Sequence, residues 1–237
     1  MPYIKKTVKA GLTMEVFKYH SARYQSQSGR RQKNRNKTPL SMEKVNQRNA
    51  ENKLRWKINA NFGAGDIYLT LTYTRANRPE TETAGAELRN YLRRLRRIYK
   101  TAGAELKYIA VTETGSRGGI HHHMIINSGI DTRLIAQLWT KGIAGIKYLD
   151  NTGEYGRLAG YLIKETSKTL HDGRGRKLRY TCSRNLKEPE IKTERIKADT
   201  WTETPRAVKG YALTGEVESG VIEATGYGYQ HYTMRKL

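Results

Sequence analysis

One cysteine, Cys182, stands in 237 residues, so no internal disulfide can form and a cysteine-rich zinc site is excluded. Long apolar runs are also missing. No segment has the length of a membrane span, the hydrophobic stretch of a signal peptide or a lipidation motif, and the chain is expected to be soluble and cytoplasmic, with no membrane partner. Phenylalanine is scarce at 2 residues, but 16 Tyr, 3 Trp and a hydrophobic fraction of 37% allow one modest core. Acids are the other deficit. Lys and Arg number 44 against 22 Asp and Glu, and a net charge of +22 draws in polyanions and releases their counterions on binding, which makes nucleic acid the leading partner. No G-x-x-x-x-G-K-[ST] loop is present, so the sequence offers no P-loop for nucleotide phosphates.

The pattern along the chain divides it into three parts. Residues 1–61 are the least core-like: a polar, cationic arm from Ser21 to Thr38 precedes an expected helix from Ser41 to Ile58, with Ser41 as N-cap. Residues 62–186 carry the clearest periodicity. Asp66 to Tyr73 reads as a strand; Ala86 to Lys100 as a helix with Leu88, Tyr91, Leu92, Leu95 and Tyr99 on one side; Lys107 to Thr114 and Ile120 to Asn127 as strands of a hairpin closed by Gly115 to Gly119. A short helix from Asp131 to Lys141, a strand from Ala144 to Leu149 and a helix from Gly156 to Lys168 complete a β-α-β-β-α-β-α order. That order predicts an α+β fold, an antiparallel sheet with helices packed on it in the ferredoxin-like manner. Residues 187–237 form a β-rich extension whose tyrosines suit either sheet positions or stacking on unpaired bases.

The expected second strand of the hairpin holds His121, His122 and His123. Side chains alternate along a strand, so His121 and His123 share one face while His122 points the other way, with Ile120, Met124 and Ile126. Glu113, across the hairpin, shares a face of its own strand with Ile109 and Val111 and could supply a carboxylate. Two imidazoles and one carboxylate leave coordination positions open for water and a phosphate oxygen, a set suited to Mn²⁺ or Mg²⁺ acting as a Lewis acid.

On the helix from Gly156 to Lys168, Leu158, Ala159, Leu162 and Ile163 cluster on one side at 100° per residue, and Arg157, Tyr161, Lys164 and Lys168 line the other. A tyrosine among cations presents a phenol to phosphate. Tyr155, in a glycine-flanked loop, is the rival nucleophile. Arg157, Lys168, Arg93, Arg97 and the hairpin-loop residue Arg117 are candidate DNA contacts.

These blocks, YLTLTY, VTETGSRGGIHHHMII and LAGYLIKE, resemble the HUH endonuclease superfamily, and most closely the rolling-circle replication proteins of bacterial plasmids and phages. The resemblance implies His121, His123 and Glu113 as metal ligands, Tyr161 as nucleophile and Lys164 as its supporting lysine. It implies a single-stranded origin DNA substrate in a bacterial host, cut by Tyr161 with retention of a 5′-phosphotyrosine and release of a 3′-OH for a host polymerase, with a host helicase opening the duplex. Two departures matter. The middle of the histidine motif is His122 rather than an aliphatic residue, which leaves a shifted metal register open, and no second tyrosine lies four residues from Tyr161, since Arg157 and Glu165 stand there. A relaxase or single-tyrosine transposase of the same superfamily would share the chemistry, and a non-catalytic single-strand-binding protein would share only the charge.

Overall fold

The computed structural model describes residues 2–21, 40–115, 118–171, 180–222 and 226–237, with side chains at all of these except 40–42, 81–82 and 165–171. The chain forms two compact units, one from Met1–Arg48 with Glu188–Leu237 and one from Asn49–Lys187. Each holds a five-stranded antiparallel sheet.

In the first unit the two ends of the sequence share a sheet. Strands β1 (Tyr3–Ala10) and β2 (Thr13–His20) make a hairpin, and β8 (Glu190–Ile196), β9 (Tyr211–Ile222) and β10 (Tyr227–Lys236) join it in the order β8-β1-β2-β10-β9. The N-terminal twenty residues therefore differ from their sequence reading. Their apolar residues, Ile4, Val8, Met14 and Val16, are buried, but lysines at Lys5, Lys6, Lys9 and Lys18 break the alternation that would mark strands. The expected arm over 21–38 lies almost wholly outside the described residues. Tyr232 is buried in this sheet beside Met14, Val16 and Met234, so it is a packing residue and not a base-stacking one.

The second unit holds the expected alternation. After α1 (Leu40–Asn61) come β3 (Ile67–Thr72), α2 (Thr81–Thr101), β4 (Tyr108–Thr114), β5 (Ile120–Ile126), α3 (Thr132–Gln137), β6 (Ala144–Tyr148), α4 (Gly156–His171) and the short β7 (Thr181–Cys182). Ser41 lies inside the first turn of α1 rather than capping it. The sheet order is β6-β3-β5-β4-β7, with every pair antiparallel. Of the four strands β3 to β6, the fourth lies beside the first and the third beside the second, the split β-α-β-β-α-β arrangement.

Strand alternation then assigns each face its own helices. Ile67, Leu69, Leu71, Ala110, Met124 and Ile126 face the stripe of α2 formed by Leu88, Tyr91, Leu92, Leu95 and Tyr99, with Ile135 of α3. Ile109, Val111 and Ile125 point the opposite way, against Leu54 and Ile58 of α1 and Ala159, Leu162 and Ile163 of α4. Each such aliphatic side chain contributes roughly 1.5–3 kcal/mol on burial. At its C-terminal end β3 is pinned where the backbone runs tight: the Trp139 indole donates to the Thr72 carbonyl at 2.7 Å, and a Cβ added to Gly142 would lie 2.2 Å from that same oxygen. Thr72 is the ladder partner of His121, so this pin holds the strand end beside the histidines.

Candidate functional site

The hairpin register aligns Glu113 with His121 and Val111 with His123, putting all four on the α4 side of the sheet. His123 sits between two oxygens. Its Nε2 lies 2.8 Å from Glu113 Oε2, and its Nδ1 lies 2.7 Å from the Tyr68 hydroxyl. A proton on Nε2 satisfies both contacts, with the imidazole donating to the carboxylate and accepting from the phenol. The His121 ring lies parallel to that of His123 with centroids 6.4 Å apart, and the backbone of Gly119 passes so close that an added Cβ would be 3.3 Å from His121 Nε2.

Tyr161 completes this face. Its ring stands edge-on to His123, 88° between planes and 5.5 Å between centroids, while 43% of the residue remains exposed. The rest of α4 sorts as its spacing predicts. Ala159, Leu162 and Ile163 are buried, and Arg157, Tyr161 and Lys164 are exposed. Lys164 lies one turn beyond Tyr161. Lys168 belongs to the same helix, but its side chain lies outside the described residues, as does Arg117 altogether.

Two alternatives from the sequence find no support in the geometry. Tyr155 is buried at 4% exposure among the apolar residues under α4, and its hydroxyl donates to the Asp150 carbonyl at 2.9 Å, so its phenol is committed to the core. His122 does not share the face of His121 and His123. It is fully buried on the α2 side, with Nε2 2.8 Å from the Tyr73 hydroxyl and Nδ1 2.9 Å from the Thr112 hydroxyl. Burial, reinforced by His123 and His121, pulls its pKa down to about 4, so the ring is neutral at pH 7. Arg93 and Arg97 also lie apart from the histidine pair, because α2 packs on the opposite face of the sheet.

Tyr68 went unnoticed in the sequence. Burial pushes its pKa up to about 12, with a hydrogen bond to Thr70 opposing and nearby Tyr161 and Glu113 adding, so its phenol stays protonated beside His123. The available signal was its parity on β3, which it shares with Thr70 and Thr72. That parity means something only once β3 is known to pair with β5.

Among the described residues, no three His, Cys, Asp or Glu side chains converge on one point as a ready metal cage. The donor chemistry nevertheless suits a divalent ion. With Tyr68 on Nδ1 of His123, Nε2 is the nitrogen that could ligate an ion, with the Glu113 oxygen beside it.

Residues 66–170, a little under half of the chain, match the model of a family described as replication-associated protein ORF2/G2P. That span includes Tyr68, Glu113, His121, His123, Tyr161 and Lys164, and the match is consistent with a part in starting replication. No curated protein and no solved structure matches the chain. No helix among the described residues is long and apolar enough to cross a membrane.

Proposed function

We propose that the chain is a site-specific endonuclease and strand transferase acting on single-stranded DNA, which starts rolling-circle replication through a covalent tyrosine intermediate. The observation that carries this reading is the meeting of Tyr161 with the His123–Glu113 pair on one face of the sheet, within the replication-associated stretch. The Tyr161 oxygen attacks the scissile phosphorus. An O–P bond forms to the phenol, the bond from phosphorus to the 3′ oxygen breaks, and that oxygen takes a proton to leave as a 3′-OH. The 5′ phosphate stays on Tyr161, and the reverse reaction rejoins the strand.

A free phenol, with a reference pKa near 10, is a weak nucleophile at pH 7. Lys164, one helical turn away and cationic, stabilises the charge that develops as the phenolic proton leaves. His121, His123 and Glu113 would hold a Mg²⁺ or Mn²⁺ ion, whose Lewis acidity would polarise the phosphate oxygen. Tyr68 orients His123 by holding its Nδ1, and Arg157 adds positive charge on the exposed side of α4.

One observation favours a second reading. Glu113 and His123 satisfy each other directly, as a purely structural pair would, in a protein that grips single strands without cutting them. Labelled single-stranded oligonucleotides tiling the replicon's origin, incubated with Mn²⁺ or with chelator, separate the two. A denaturation-resistant protein–DNA band that needs the ion and vanishes in Tyr161→Phe supports nicking. Tight binding with no band on any fragment supports the non-catalytic reading, and a band that persists in Tyr161→Phe moves the nucleophile elsewhere.

A further inference from the structure

At the other end of β4 from Glu113, a groove of about 790 Å³ opens between the last turns of α2 and the residues after β7. Its volume falls in the range of ligand sites, roughly 300–1,000 Å³. Three cations border it, Arg96, Lys100 and Arg184, against one acid, Glu105. We propose that this groove is a phosphate-binding subsite for single-stranded DNA, several nucleotides from the scissile bond.

The groove holds Arg96 in place and ties down the backbone that carries Arg184. The Arg96 guanidinium lies over the Tyr108 ring, 5.4 Å from its centroid, and donates to the Tyr108 hydroxyl at 3.0 Å. A planar fork fixed in this way loses little freedom when a phosphate arrives. The Tyr108 amide donates to Ser183 Oγ at 3.1 Å and the Ser183 amide donates to the Tyr108 carbonyl at 3.0 Å, which ties the segment carrying Arg184 to β4. The one carboxylate is already engaged, since Asn185 Nδ2 lies 3.3 Å from Glu105 Oε2. Among the described residues, no ion pair engages Lys100 or Arg184.

The negative end of the α2 dipole works against an anion here, but it amounts to only about half a charge. Three cations outweigh it. Arg89 and Arg93 continue the exposed stripe of Arg96 and Lys100 along α2 at four- and three-residue spacing, so a strand leaving the groove meets further cations. From Tyr108 to Glu113 the strand rises about 17 Å at ~3.3 Å per residue, and because α2 and α4 lie on opposite faces of the sheet, a DNA strand joining the groove to Tyr161 runs farther than this, around the sheet edge.

This assignment takes from the proposed function only that the chain binds single-stranded DNA, and binding is measured without cutting. The full chain is titrated with a fluorescent oligo-dT by anisotropy over a range of salt, in chelator. Lys100→Gln with Arg184→Gln should weaken binding and lower the slope of log K against log salt by about 1.4, at ~0.7 per lost phosphate contact. Lys147→Gln with Arg133→Gln removes the same charge from β6 and α3 and should leave the slope nearly unaltered. An unaltered slope in the groove variant, or an equal fall in the second pair, would overturn the assignment. So would a melting temperature raised by inorganic phosphate, lost in the groove variant while DNA binding is unchanged, because the groove would then serve a free phosphate. Adduct formation at saturating DNA is followed in parallel. Its absence in the unsubstituted chain would sink the nicking reading and leave the groove standing.

Discussion

The two sheets are alike in strand number and antiparallel pairing but differ in what their histidines meet. In the second unit His123 lies between a phenol and a carboxylate with a half-exposed tyrosine edge-on to it. In the first unit His231 also lies between two oxygens, Glu15 Oε2 at 3.3 Å and Glu218 Oε2 at 3.4 Å, but its ring is stacked on Phe17 at 4.3 Å. A histidine between acids is thus not sufficient to suggest chemistry. What sets His123 apart is a helix laid over the same face that brings the half-exposed Tyr161 to it.

The sharpest way to break this contrast is Tyr161→Phe, which should abolish the covalent adduct while DNA affinity stays within about twofold, as gel analysis and anisotropy would read. Lys164→Gln should slow adduct formation by about 10²–10³-fold in single-turnover kinetics, the usual cost of removing one group that stabilises developing charge. Tyr68→Phe removes the partner of His123 Nδ1, and metal-dependent cleavage should fall about 10–100-fold, with Mn²⁺ needed at higher concentration. His231→Phe, which keeps the stack on Phe17, should leave the adduct rate unchanged. A fall comparable to that of Tyr68→Phe would erase the distinction between the two histidines.

A separate test, of stability rather than cleavage, concerns pH. The unfolded chain protonates His122 near the ordinary imidazole value of 6.5, whereas the fold holds the pKa down to about 4, so the unfolded state binds more protons between those values. Stability from this group is complete above pH 6.5 and is lost as pH falls through that window, by at most about 3 kcal/mol. Denaturant unfolding at several pH values should show this loss, and His122→Gln should flatten it. An identical pH profile in that variant would remove His122 as the cause.

Legibility followed sequence distance. The β4–β5 hairpin joins neighbours through five residues, so Glu113 opposite His121 could be anticipated from the loop length alone. The inner and outer faces of α4 followed from 100° spacing, because a helix makes its own hydrogen bonds and needs no partner to define its sides. The β3–β5 pairing was not legible in this way. A long helix separates the two strands, and nothing in YLTLTY says which strand Tyr68 will face. The first unit was harder still: Thr13 to His20 pairs with residues more than two hundred positions away, and its lysines hide the alternation of a strand.

By itself, the sequence determined the cationic character of the chain, the helix-and-strand order of residues 62–186 and the pairing of two histidines with a carboxylate. These depend on composition and on backbone periodicity, which are local. Only the tertiary structure decided that Tyr161 rather than Tyr155 reaches the histidine face, that Tyr68 holds His123 and that both ends of the chain share a sheet. Each of those outcomes depends on which distant surfaces pack together, and packing is set by the whole set of buried faces rather than by any one segment.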